Sequence, residues 1–179
     1  MKRLFLISVA FLLISSGLLA QKMNNIKTDL FSPIIRTYVL KYERAFTEDI
    51  SGQLGFFYTG YRPGDSESVL SGFGITPEFR YYLSESPAPD GFYLSPNFRY
   101  MKVSAYDEVT DEEGSLTSLG FALHLGGQWI LKDVVAVDIW LGPSYNFREV
   151  TANEQEVEFG IAEANGFGIR IGLAIGIAF

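Results

Sequence analysis

The chain has 179 residues, 14 Lys and Arg against 21 Asp and Glu, a formal charge of −7 and no cysteine. That balance argues against nucleic acid as a partner, because phosphate binding draws on clustered Lys and Arg. The missing Cys excludes a disulfide framework and thiolate metal sites.

Met1-Lys2-Arg3 followed by the apolar run Leu4 to Ala20 reads as a secretory signal peptide. Residues 1–20 are therefore expected to be removed, leaving 21–179 as one domain. No Cys follows the run, so a lipoprotein anchor is not expected. Cleavage after Ala20 removes two of the 14 basic residues and none of the 21 acidic ones, taking the formal charge from −7 to −9. After Gln21 no apolar run is long enough to cross a bilayer as a helix. A membrane protein made from the remainder has to be a closed barrel, because only closure pairs every strand's backbone groups in lipid.

The rest of the chain alternates with the period of two that belongs to strands. Lys22 to Phe31 carries the weakest pattern, with Ile26, Thr28 and Leu30 opposite Lys27, Asp29 and Phe31, and Ser32-Pro33 then predicts a turn or bulge. Ile35 to Phe46 puts Tyr38, Leu40 and Tyr42 on one face and Thr37, Lys41 and Glu43 on the other. Ile50 to Arg62 sets Leu54, Phe56 and Tyr58 against Ser51, Gln53, Phe57 and Thr59. In Leu70 to Leu83, Phe73, Ile75, Phe79 and Tyr81 oppose Thr76, Glu78, Arg80 and Tyr82.

Phe92 to Val103 places Leu94, Phe98 and Tyr100 against Ser95, Asn97 and Arg99. Leu116 to Leu131 sets Leu119, Phe121, Leu123 and Leu125 against Ser118, Gly120, His124 and Gln128. From Val135, Ile139, Leu141 and Tyr145 face away from Asp138, Trp140, Ser144 and Asn146. The last stretch, Gly166 to Phe179, alternates Phe167, Ile169, Ile171, Leu173, Ile175, Ile177 and Phe179 with Gly168, Arg170, Gly172, Ala174, Gly176 and Ala178. Its large side chains suit lipid and its small ones a narrow lumen.

Short links alternate with longer acidic loops at Pro63–Glu67, Tyr106–Ser115 and Glu149–Ala164, the plan of an up-and-down barrel. Placing both termini at the periplasmic end demands an even number of strands, so 22–31 is needed as a separate first strand and the expected total is eight. The alternative is one bent strand from Ile26 to Phe46, which leaves an odd number.

The signal peptide, the long alternating strands, the loop asymmetry and the terminal Phe179 resemble the small eight-stranded outer-membrane barrels of the OmpA-transmembrane and OmpX type. Within them the chain looks most like the uncharacterised barrels of Gram-negative bacteria. The resemblance implies an all-β, antiparallel transmembrane barrel in the outer membrane, with N- and C-termini periplasmic. It further implies lipid and lipopolysaccharide as surroundings, and a C-terminal strand read by the barrel-assembly machinery through Phe179. It transfers no catalytic site.

Eight strands enclose a space that side chains nearly fill. The inward sets supply Glu43, Glu78, Arg80, Arg99, Asp138 and Arg170, with Lys41 and Arg148 nearer the ends, and the expectation is a salt-bridge ladder that plugs the lumen. Phe57, Tyr82 and Trp140 are the inward bulky residues that a carrier of an apolar molecule would use. His124, the single histidine, could serve a lipid-modifying hydrolase, but its inward parity sets it away from lipid and no Ser stands two residues from it. A lumen His124 bonded to Asp138 or a tyrosine is expected instead. The acidic loops could gather divalent cations but lack the spacing and turn glycine of a calcium loop. The function expected is therefore non-enzymatic, monomeric and free of cofactor or metal, with a structural, adhesive or envelope-maintenance role.

Overall fold

The computed structural model describes residues 23–61, 68–107, 112–152 and 165–179. The expected signal peptide lies outside them, as do the loop acids Asp65, Glu67, Glu108, Asp111, Glu154, Glu156, Glu158 and Glu163. Eight strands run in chain order: β1 (Asn24–Asp29), β2 (Thr37–Ala45), β3 (Ile50–Tyr61), β4 (Ser68–Tyr82), β5 (Gly91–Asp107), β6 (Glu112–Leu131), β7 (Val135–Ala152) and β8 (Gly166–Ala178). Each pairs antiparallel with the next, and β1 with β8 closes the barrel. No described helix is long and apolar enough to cross a membrane.

The alternation in sequence becomes the two faces of the wall. Leu54, Phe56, Ile75, Phe79, Phe121, Leu123 and Leu141 are exposed on the outside, whereas Glu43, Ser51, Arg80, Ser95, His124, Gln128 and Asp138 are buried within. An ordinary soluble core inverts this order. The tightest link, Lys132–Val134, places Lys132 and Asp133 at φ 50° and 57°. Consecutive positive φ values give a hairpin turn whose twist matches that of its strands.

The separate first strand is present, so the single bent strand from Ile26 to Phe46 is ruled out. Ser32-Pro33 opens a short 3-10 turn, Ser32–Ile35, followed by Arg36 in the left-handed region at φ 53°. Four strands, β4 to β7, run past their expected ends, β4 by starting at Ser68. Asp107 pairs with Glu112 and Ala152 with Gly114, so Asp107, Glu112, Glu113 and Glu149 stand on extended ribbon rather than in loops. Charged and small residues interrupt the alternation of large apolar side chains in those stretches, and the backbone ladder runs on through them.

Two irregularities shape the wall. Pro77, Pro96 and Pro143 lie inside strands, and the ladder beside each one lapses. The β4–β5 register passes from Ile75–Tyr100 to Glu78–Asn97 to Tyr81–Leu94, and β6–β7 from Ala122–Ser144 to Leu125–Leu141. A proline has no N–H to give to a ladder.

The second irregularity is larger. β1 ends at Asp29, opposite Ala174 of β8, and the 3-10 turn then carries the chain out of the ladder. Beyond that level Gly166–Gly172 of β8 pairs with β7 alone, and Thr37–Leu40 of β2 pairs with β3 alone. Among the described residues the wall is thus split between β8 and β2 over its half farther from the chain termini. Phe167, Ile169 and Ile171 are 88%, 80% and 78% exposed, against 38% for Ile175 lower on the same face, where β1 is in place.

Close strand approach explains Gly142, where an added Cβ would lie 1.9 Å from the Leu123 carbonyl oxygen. Gly142→Ala is expected to cost about 1–3 kcal/mol, the range for overpacking a filled site. Gly166→Ala, whose Cβ meets nothing within 4 Å, should be nearly silent, with urea unfolding followed by circular dichroism as the measurement.

Candidate functional site

The lumen is divided into a sealed layer and an open chamber. The sealed layer lies toward the chain termini. Lys27 of β1 and Arg80 of β4 face Glu43 of β2 and Asp138 of β7, so one cluster ties four strands around the ring. Lys27 Nζ is 2.7 Å from Glu43 Oε2 and 2.8 Å from Asp138 Oδ2 and also donates to Gln128 Oε1. Arg80 reaches Asp138 at 2.9 Å, Glu43 at 3.4 Å and Glu78 at 2.6 Å.

Hydroxyls and amides complete the shell. Tyr82 Oη and Ser51 Oγ donate to Glu43 Oε1 at 2.7 and 2.5 Å, Tyr93 Oη donates to Asp138 Oδ1 at 2.7 Å, and Gln128 Nε2 donates to Glu43 Oε2 at 3.0 Å and to the Pro89 carbonyl at 2.5 Å. Arg80 also lies over the Tyr93 ring at 4.2 Å. Lys27, Glu43, Arg80, Asp138, Gln128 and Tyr93 are all at most 1% exposed. Charges this dry persist only when each has opposite charge and hydrogen bonds around it.

Above this layer lies a cavity of about 400 Å³. Its lining includes Asp29, Lys41, Phe57, Glu78, Arg99, His124, Trp140 and Arg170, and it reaches the wall split through Ile35, Val39, Ile169 and Ile171. Lys41 pairs with Asp29 at 2.5 Å and stands 3.6 Å over the Trp140 ring. Arg99 Nε donates to Thr76 Oγ1 at 3.2 Å and its guanidinium stands 5.7 Å from the Phe57 ring. Arg170 donates to Asn146 Oδ1 at 2.6 Å and to Asn97 Oδ1 at 3.4 Å.

The expected charge ladder therefore divides. Glu43, Glu78, Arg80 and Asp138 come together, while Arg99 and Arg170 stand in the chamber on neutral partners and reach no carboxylate among the described residues. The reason is height along the strands: Arg99 lies opposite Gly120 and Arg170 opposite Gly142, well away from the level where Lys27 meets Lys41 and Gln128 meets Asp138. His124 points inward but does not bond Asp138 or a tyrosine. Its Nδ1 is 3.1 Å from Asn97 Nδ2, and its ring lies 6.5 Å from that of Trp140.

Lys27, Gln128 and Tyr93 join the sealed layer unforeseen. Tyr93 was legible, since continuing the inward parity of Ser95 and Asn97 by one step reaches it. Phe57 and Trp140 line the chamber, whereas Tyr82 is spent in the sealed layer. Phe179 holds its strand end to β1, its amide donating to the Asn24 carbonyl at 2.9 Å and its carbonyl accepting from the Asn24 amide at 3.1 Å. No group of three or more metal-ligating side chains occurs among the described residues.

Removing one partner from a buried ion-pair cluster strands the others. Lys27→Met leaves Glu43 and Asp138 sharing Arg80 alone and is expected to cost about 3–5 kcal/mol. Tyr82→Phe, which removes one donor from Glu43, should cost about 1–3 kcal/mol. Equilibrium unfolding of the two variants beside the parent chain measures both.

No curated protein and no solved structure matches the chain. A family model described as a protein of unknown function, DUF3575, matches residues 4–174. With nearly its whole length matched, the chain belongs to the DUF3575 family.

Proposed function

We propose that the protein is an integral outer-membrane barrel of non-enzymatic role, closed to ions by the Lys27–Arg80–Glu43–Asp138 layer and serving the envelope as a structural and binding element. The observation that carries this reading is the inversion of faces. Exposed Leu, Ile, Phe and Tyr surround a wall whose interior is charged, an arrangement stable in hydrocarbon and costly in water. An outer groove of about 680 Å³ over Leu54, Pro77, Phe79, Pro96 and Phe98 extends the same apolar exterior. In this frame the chain termini lie at the periplasmic end and the split half of the wall toward the outside.

The sealed layer supports closure, because an ion crossing it would have to displace charges that have no water to replace their partners. Planar bilayers holding the purified chain are expected to show no unit conductance steps, and regular steps would count against the plug. Depth in lipid gives a second check. Leu123→Arg should cost about 2–4 kcal/mol in a liposome refolding assay, whereas Ser86→Arg, in an exposed turn, should be nearly silent. Equal effects would put Leu123 outside the hydrocarbon.

A carrier role is favoured by one specific observation. Above the plug the described residues leave a cavity of about 400 Å³ that continues into the wall split.

A further inference from the structure

The two chamber arginines are close neighbours, and neither reaches a carboxylate among the described residues. Gly120 stands opposite Arg99 in the β5–β6 register, and a Cβ added at Gly120 would lie 2.5 Å from Arg170 Nη2. The guanidinium of Arg170 therefore lies over the backbone directly across from Arg99. Like charges so placed repel, and their hydrogen-bond partners Thr76, Asn97 and Asn146 are neutral.

The acids of the chamber do not relieve them directly, since Asp29 is paired with Lys41 and Glu78 with Arg80. Counted with the sealed layer that shares Glu78, five cations (Lys27, Lys41, Arg80, Arg99 and Arg170) face four carboxylates (Asp29, Glu43, Glu78 and Asp138), so one positive charge is in surplus with His124 counted as neutral. A single carboxylate would cancel that surplus and take the planar, forked hydrogen bonds that guanidinium groups offer. A doubly charged phosphate ester would overshoot it.

The chamber also has an apolar exit. Ile35 on one flank of the wall split and Ile169 and Ile171 on the other line the same cavity as the arginines. All three are at least 69% exposed. An apolar chain leaving the arginines sideways passes between these isoleucines without unpairing a ladder, because among the described residues Gly166–Gly172 and Thr37–Leu40 have no strand partner across the split, the Val39 carbonyl there accepting from the Thr28 hydroxyl at 2.7 Å.

We propose that the chamber binds a long-chain monocarboxylate, its carboxylate between Arg99 and Arg170 and its chain leaving through the split between β8 and β2 into the bilayer. This rests on the membrane-embedded reading above. It adds a ligand class and a lateral route.

The sequence has two tryptophans. Trp129 faces out against Phe92, and Trp140 lines the chamber. In the full chain carrying Trp129→Phe, reconstituted in phosphatidylcholine nanodiscs, fluorescence thus reports the chamber. Stearate with a nitroxide at carbon 5 is expected to quench Trp140 saturably and more strongly than stearate labelled at carbon 16, while the methyl ester of the first gives only the linear quenching of the surrounding lipid. Arg99→Gln with Arg170→Gln should weaken half-saturation at least tenfold, and Arg170→Lys, which keeps the charge, should lose much less.

Equal quenching by acid and ester in a reconstituted chain overturns the site and leaves the membrane reading standing. A chain that does not enter nanodiscs overturns both. For the route, the nitroxide of bound 16-labelled stearate should be relaxed by molecular oxygen, which dissolves in lipid. Stronger relaxation by a water-soluble nickel chelate would put the chain through the outer mouth and overturn the lateral path.

Discussion

The structure depends on a charge cluster that contributes little by its attraction alone and a great deal by its placement. Lys27, Glu43, Arg80 and Asp138 come from β1, β2, β4 and β7, so their contacts cross the lumen rather than follow one hairpin. Coulomb attraction between buried ions is largely offset by the water they give up. What the cluster secures is register. A slip of one residue in any of these strands turns its member outward and leaves the remaining charges dry and unpaired. The ladders hold neighbouring strands together, and the cluster determines which rungs they use.

The same constraint explains the form of β1. Its six residues make few ladder bonds and their sequence, Asn-Asn-Ile-Lys-Thr-Asp, carries little hydropathy contrast, yet it is needed twice. It closes the ring against β8, and it carries Lys27 to the point where Glu43, Gln128 and Asp138 converge. Once Lys27 is placed, nothing in the cluster requires the strand to continue, and Pro33 ends it within a turn. The split between β8 and β2 is thus the consequence of a first strand only as long as the sealed layer needs.

Much of this was legible in the residues. The inward and outward sets of β2 to β8 follow from parity, as do strand number and the inward placement of Glu43, Arg80, Asp138 and His124. The level of each residue along the axis was not legible. Parity tells which side of the wall a side chain takes, but height depends on the stagger between strands, and stagger is fixed by cross-strand contacts that no single strand reveals. Arg80 and Arg99 look alike in sequence, each a basic residue amid alternating aromatics. One is drawn into the cluster and the other stands above it, because Arg80 lies opposite Ser51 beside Glu43 while Arg99 lies opposite Gly120. Lys27 escaped notice for the related reason that a short, weakly patterned strand gives parity little to act on.

The difference in height also decides what each arginine can do. Arg80 has its bonds committed on several sides, to Glu43, Glu78 and Asp138, so it can yield none of them without exposing a dry carboxylate. Arg99 and Arg170 hold Thr76, Asn97 and Asn146, neutral groups that water or another acceptor replaces at small cost. A barrel that needed only to be closed would gain nothing from two such cations side by side above a finished plug, since their mutual repulsion is uncompensated there. Their position beside the stretch where, among the described residues, no ladder joins β8 to β2, at the level where β1 has already ended, ties the surplus charge and the missing strand pairing into a single feature. The chamber is the part of the molecule that closure does not explain.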